Sequence, residues 1–351
     1  MKELTCHPWM PLLPIQNLRN SMALTFGPLT LGTQTFSSNL IQGPLAGVSC
    51  WPFRLLATQW GAPGFCYTEM LSAKNLATHA EISPRFRIKH PEEGPLCVQL
   101  SGTDPEELAR ATERVINFGA DLIDLNCGCP VTKIRKKGAG SKLLETPDLL
   151  ADLIKAIKSQ SKNLPISIKI RLGPHSLLAA LRAQDAGVDF ITIHGRQWTE
   201  HYETPADPEG IFNIIQSLDI PVIANGDVNN TESALALLKQ TGASGIMIAR
   251  GSVGRPWLFN QIKQEALGEI FIPPDNYKIG QLLLEHIQGL ISLEGEKIAV
   301  LQARKLIKYY ARAVNNLDQN LDRNNFENLL IQAQKLTHFL NLEKLVQDFF
   351  Q

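Results

Sequence analysis

Residues 122–144 read LIDLNCGCPVTKIRKKGAGSKLL. An apolar run ends in Asn126, Cys127, Gly128, Cys129 and Pro130, and Lys133, Arg135, Lys136 and Lys137 follow within five positions. Two thiols beside a basic cluster at the end of a buried strand are compatible with a metal site, a disulfide, a catalytic thiol or an anion site. A metal is disfavoured, because Cys-x-Cys has no second Cys or His pair at ligand spacing. A disulfide is disfavoured too. Six cysteines in 351 residues, with no Cys-x-x-Cys pair, are not a disulfide framework, and we read a reducing, cytoplasmic setting. A free thiol with an ordinary pKa of about 8.5 is mostly protonated near neutrality and can serve as an acid. The residues alone leave a catalytic and a structural thiol both open.

Other polar residues fall at the ends of apolar runs. Gln99 and Asn126 close two of them, ISIKIR carries Lys169 and Arg171, and ITIHGR carries His194 and Arg196. The run ANGD spans Asn225, Gly226 and Asp227, and IARG spans Ala249, Arg250 and Gly251. An unpaired buried ammonium is costly, so Lys169 inside an apolar strand calls for an anionic or electron-rich partner. Gln99, Asn126, Lys169 and His194 together suggest a flat, polar ligand. Gly226, Gly251 and Arg250 suggest a phosphate held by backbone N–H groups and a guanidinium. A flat ring with a phosphate tail points to FMN, and the absence of a G-x-G-x-x-G fingerprint argues against a dinucleotide.

The elements that must position these residues alternate. Strands are expected at 39–45, 65–70, 96–101, 121–126, 166–171, 189–194, 221–225 and 245–249, with helical patterns between them. Asp104–Pro105, Thr146–Pro147 and Asn230 read as helix starts, and Gly119 and Gly242 as stops. Eight such units predict a (β/α)8 TIM barrel, whose site lies at the C-terminal ends of its strands, rather than an open doubly wound sheet. Near ALGEIFIPPDNY the composition turns to that of a linker, and everything beyond reads as helix. We therefore expect a poorly ordered extension at 1–21, a catalytic FMN-binding barrel at 22–265, a linker at 266–277 and a C-terminal all-helical domain at 278–351.

Composition bounds the reading. Lysines and arginines balance aspartates and glutamates at 34 each, which argues against non-specific coating of nucleic acid but not against a local basic face. No apolar run reaches the ~18 residues that span a bilayer, and the amino-terminal stretch is a poor secretory signal. No membrane, no metal and a monomer are expected.

The chain resembles the tRNA-dihydrouridine synthases, most of all the bacterial B-type subfamily. The resemblance rests on the Asn-x-Gly-Cys-Pro signature in LNCGCP, with GPLAGVSCWPFR, TEM, VQLSGTDPEE, IKIRLG, TIHGRQ, IPVIANGDV, GIMIARGSVGRPWLF and QARKLIKYYARAV, in order over residues 26–312. It implies an FMN-bound barrel with a helical tRNA-binding domain. Such an enzyme reduces the C5–C6 double bond of selected uridines in tRNA, with NADPH or NADH as electron source, passing hydride from flavin N5 to C6. By this resemblance Cys129 is the catalytic acid toward C5 and Cys127 falls on a variable position. Pro44, Leu45, Ala46, Gln99, Lys169 and His194 match flavin-ring contacts, and Asn225, Gly226, Asp227, Ala249 and Arg250 match phosphate-side contacts. Asn126 joins the cofactor set from its place at a strand end.

An RNA interface is expected at Lys133, Arg135, Lys136 and Arg196, and along a helical stripe of Arg304, Lys308 and Arg312, whose i,i+4 like charges repel unless a phosphate backbone lies against them. Three departures stand out. Leu45 replaces a usual Met, Lys142 a usual small residue, and WTEHYETPAD lacks the small residue and Gly usual before Pro-Ala-Asp, which puts RNA contacts of the 198–205 loop in question. The competing readings are a dihydroorotate dehydrogenase-like reductase of free pyrimidines and a catalytically inactive RNA-binding barrel.

Overall fold

In the computed structural model of the chain, residues 26–79, 81–87, 89–317 and 323–351 are described. The expected extension at 1–21 lies outside them.

Eight parallel strands close into a barrel in the order β10-β3-β4-β5-β6-β7-β8-β9. They are β3 Leu40–Gln42, β4 Cys66–Ser72, β5 Leu96–Ser101, β6 Leu122–Cys127, β7 Ile166–Leu172, β8 Phe190–Gln197, β9 Val222–Asn225 and β10 Gly245–Ile248. The first strand is shorter than expected, because the chain turns away after Gln42. Ahead of the barrel stands an antiparallel hairpin that the sequence reading did not resolve, β1 Leu29–Leu31 and β2 Gln34–Phe36. Its Leu29, Leu31 and Phe36 pack with Ile41, Phe65, Tyr67 and Phe190, closing the floor of the barrel at the strands' N-terminal ends.

Helices α1 Trp51–Gly61, α2 Ala73–Thr78, α3 Pro84–Arg87, α4 Pro105–Asn117, α5 Thr132–Arg135, α6 Pro147–Gln160, α7 Ser176–Ala186, α8 Pro208–Ile215, α9 Thr231–Thr241 and α10 Leu258–Ala266 follow the strands. Local chemistry fixes their ends. Asp104 Oδ1 accepts from the Glu107 N–H at 2.8 Å with Pro105 at the first position of α4. Asn230 and Ser233 form a capping box on α9, and Gly242 ends it at φ 65°. Thr146 does not cap α6. A 3-10 turn at Gly140–Glu145 runs directly into that helix, and the Thr146 hydroxyl donates to the Leu143 carbonyl instead.

Period-two alternation sorts the strand residues. On β6, Leu125 and Cys127 join the apolar layer under the helices while Asp124 and Asn126 turn into the barrel. The register then brings the inward polar groups level, pairing Asn126 with Lys169, Arg171 with His194, and His194 with Asn225.

No regular structure occurs between α10 and the helices α11 Asn276–Glu294, α12 Glu296–Leu317, α13 Arg323–Lys335 and α14 Phe339–Phe350. Helix α11 starts two residues before the expected boundary, because Asp275 caps it through the Lys278 N–H at 2.8 Å. These helices share a core with the barrel: Phe53 and Leu56 of α1 lie in one cluster with Leu282, Ile287, Leu306, Tyr310 and Phe350. Among the described residues no helix is long and apolar enough to cross a membrane.

Candidate active site

The C-terminal ends of the strands surround a cavity of about 910 Å³. It is lined by Pro44, Leu45, Ala46, Gln99, Asn126, Cys129, Lys169, His194, Asn225, Gly226, Asp227, Ala249 and Arg250. Every residue predicted for catalysis or the cofactor therefore comes to one place.

Below it runs a one-directional hydrogen-bond relay. Asp124 is fully buried, and its carboxylate accepts from Ser167 Oγ at 2.6 Å and Gln99 Nε2 at 2.8 Å. Because that carboxylate takes the Gln99 amide donor, Gln99 Oε1 must face outward, where it accepts from Asn126 Nδ2 at 2.8 Å. Asn126 Oδ1 then accepts from the Cys129 N–H at 2.9 Å and the Gly128 N–H at 3.3 Å. The loop carrying the thiol is thus held from the barrel interior. Removing Asp124 would strand two buried donors, at about 1–3 kcal/mol each. Burial pushes its carboxyl up to about 7, against the hydrogen bonds from Ser167 and Gln99.

The thiols separate. Cys127 is fully buried in the apolar layer, and burial pushes it well above its ordinary range. Cys129 is half-buried at the cavity wall. Its carbonyl accepts from the Ser141 N–H and Oγ, both at 3.0 Å. A Cβ at Gly140, where φ is +64°, would come within 2.7 Å of that carbonyl, which accounts for the Gly-Ala-Gly turn.

The cavity is cationic. Lys169 Nζ donates to Asn225 Oδ1 at 3.0 Å, and Asn225 Nδ2 to the Met247 carbonyl at 2.9 Å. Burial, then the neighbouring Arg171, pushes Lys169 down to about 7. His194 is pushed down to about 2, first by burial and then by Lys169, Arg171, Arg196 and Arg250, so its ring is neutral. Arg171 lines the cavity and is anchored on the Gly128 carbonyl at 2.9 Å and the Gln197 carbonyl at 3.1 Å. The loops after β8, β9 and β10 crowd together. A Cβ would meet Ala206 Cβ at 2.4 Å from Gly226 and the Val228 carbonyl at 2.2 Å from Gly251. Asp227 does not offer its carboxylate to a phosphate. Arg196 holds that carboxylate at 2.6 and 2.8 Å, Arg250 lies at 3.4 Å and the Ala206 N–H donates at 2.9 Å.

The expected RNA-facing set divides. Arg196 is 1% exposed and spent on Asp227, with the Tyr202 carbonyl at 3.0 Å, so it does not face RNA. Arg135 is drawn inward, bonding Ser141 Oγ at 2.8 Å and Glu145 at 2.9 Å and stacking on Trp198. Arg304 is half-buried and donates to the Leu336 carbonyl at 2.9 Å, joining α12 to the end of α13. Lys133, Lys136, Lys308 and Arg312 are exposed. Arg312, distant in the chain, lines the cavity mouth with Tyr309. The sequence reading did not find Asp124 or Tyr202. An Asp inside the apolar run LIDLN was the available signal for the first, while nothing local marked the second. Among the described residues no cluster of three or more His, Cys, Asp or Glu could hold a metal ion.

Comparison with known proteins adds to this geometry. The family model described as dihydrouridine synthase matches residues 41–350. The tRNA-dihydrouridine synthase B of Pasteurella multocida is 36% identical over 295 residues, covering 82% of this chain and 87% of the relative. That of Shewanella oneidensis is 34% identical over 327 residues, covering 91% and 100%. Among solved structures, morphinone reductase superposes with a TM-score of 0.54 at 13% identity, covering 74% of this chain and 94% of the other, a likeness of fold.

Proposed function

Since the chain belongs to the dihydrouridine synthase family, we propose that it reduces the C5–C6 double bond of uridines in tRNA, with a bound FMN and with NADPH or NADH as reductant. The residues present fit that cofactor. Gln99, Asn126, Lys169 and His194 would hold the polar edge of the ring. The backbone at Gly226, Ala249 and Gly251 would hold the phosphate together with Arg250. When bound, FMN supplies the two-electron transfer between the nicotinamide and the pyrimidine.

The chain's own residues supply the rest. Cys129 Sγ carries the proton destined for C5. Its place is set by Asn126, Gln99 and Asp124, whose relay fixes each amide orientation in turn. Lys169 and Arg171 stabilise negative charge in a site where burial strengthens them. Neutral His194 can donate or accept without adding charge. The target base must leave its stack to reach the cavity, so folded tRNA is bound through shape and phosphate contacts around the mouth. The exposure of Lys133, Lys136, Lys308 and Arg312 supports such contacts.

The observation that carries this reading is the half-buried Cys129 on the wall of a cationic barrel mouth. Purified protein with NADPH should form dihydrouridine in tRNA taken from cells lacking the enzyme, and should leave free uridine and orotate unreduced. Reduction of the free pyrimidines without tRNA turnover would replace this reading with that of a small-molecule reductase.

A further inference from the structure

Trp198 and Tyr202 stand on the loop after β8 and are 42% and 56% exposed. Each is backed by an arginine whose guanidinium carbon lies 3.6 Å from the ring centroid, Arg135 for Trp198 and Arg250 for Tyr202. A carboxylate stands behind each arginine, Glu145 at 2.9 Å from Arg135 and Asp227 at 3.4 Å from Arg250. Glu145 is shared with Lys142, whose Nζ lies at 2.5 Å, and the two cations hold its carboxyl below the ordinary range. Lys142, which departs from the family pattern, and Trp198, which opens the loop that departs from it before Pro-Ala-Asp, are therefore linked through Glu145 and Arg135.

A tryptophan exposed on a loop is costly to leave in water and costly to order. Here the ordering is already done by the guanidinium. The Arg135 guanidinium covers the ring, yet 42% of the residue stays open. Exposed Lys133, in α5 with Arg135, and exposed Lys136 and Lys137, just beyond it, can take the phosphates. A rigid aromatic face beside a basic rim is the combination that stacks an unpaired base while the backbone is held electrostatically.

We propose that Trp198, clamped by Arg135, is a specificity-determining stacking platform for an unpaired nucleobase flanking the uridine that enters the cavity. This rests on the tRNA reading above. Arg135 is then a strut and not a phosphate contact.

The test measures binding of an unmodified tRNA transcript by the full-length, flavin-loaded protein across a salt series. Trp198→Ala should weaken affinity about 5- to 150-fold, the range of one lost base stack. Trp198→Phe should recover most of that loss. Because no phosphate contact is removed, the slope of log affinity against log salt should equal the wild type's. Flavin content should be unchanged in both variants. Unaltered affinity in Trp198→Ala overturns the proposal. So does a weakened affinity with a shallower slope, which marks a phosphate contact, and so does a Phe variant as weak as Ala. If wild-type protein forms no dihydrouridine in tRNA, the reading beneath the proposal fails, independently of Trp198.

Discussion

Lys169 shows how one side chain can be placed by burial and made useful by what enters beside it. In the protein alone its ammonium has Asn225 Oδ1 at 3.0 Å as acceptor, and burial pulls it down to about 7. An electron-rich ring or an anion would return it to the charged form. Lys169→Ala should therefore lower the flavin retained through purification or slow its reduction by NADPH, both read from the visible flavin absorbance. Normal content with normal turnover would remove Lys169 from the site. The residue was legible in the sequence because a Lys within ISIKIR has no cheap buried state. Cys129 was legible from the residues only as one of two thiols, and the choice between them came from the family resemblance; period two, which sends Cys127 into the apolar layer, agrees with it. Arg196 was misplaced because its partner Asp227 lies thirty-one residues away, and no local pattern reveals a pairing at that range.

At the scale of elements, the strands and most helix ends were readable, since caps and alternation are local. The hairpin β1–β2 was not. Its strands are three residues each, too short for a periodic signal, and they gain their stability from plugging the barrel floor. The join between α1, α11 and α12 was equally hidden. His286 of α11 is fully buried, with Nδ1 3.2 Å from Tyr310 Oη of α12 and its ring stacked 6.0 Å from Phe53 of α1. Burial, with a smaller contribution from Arg85, pushes His286 down to about 3. The unfolded chain protonates this residue near its ordinary pKa of about 6.5, so it binds more protons than the folded one between about 6.5 and 3. Stability is therefore lost as pH falls through that window, by about 2 kcal/mol at pH 5 from this group. His286→Gln keeps a polar partner for Tyr310 and removes the titration. Its melting temperature should drop less between pH 7 and pH 5 than the wild type's. Equal drops would exclude His286 as a source of acid sensitivity.

Across the whole molecule, barrel and helices are pinned together at the site itself. Glu69 of β4 accepts from the Gly47 N–H at 2.7 Å, beside Leu45 and Ala46, and from Arg85 Nε at 2.7 Å. Arg85 reaches on to Glu294 at 2.5 Å and Gln302 at 3.2 Å in the helical part. Loss of Arg85 would leave two nearly buried carboxylates uncompensated, a change that costs about 3–5 kcal/mol. Composition signalled the linker and the helices beyond it, but not that α12 would bring Arg312 to the cavity mouth, because helix packing direction is written in the tertiary core and not in periodicity. The proposed reaction turns on one atom, Cys129 Sγ. The most direct measurement is dihydrouridine formed in unmodified tRNA by flavin-loaded Cys129→Ala and Cys127→Ala, with flavin reduction by NADPH followed in the same preparations. Flavin reduction should be normal in both, with dihydrouridine nearly abolished in Cys129→Ala and close to wild type in Cys127→Ala. Wild-type product from Cys129→Ala, or loss of product from Cys127→Ala with its flavin intact, would contradict this assignment.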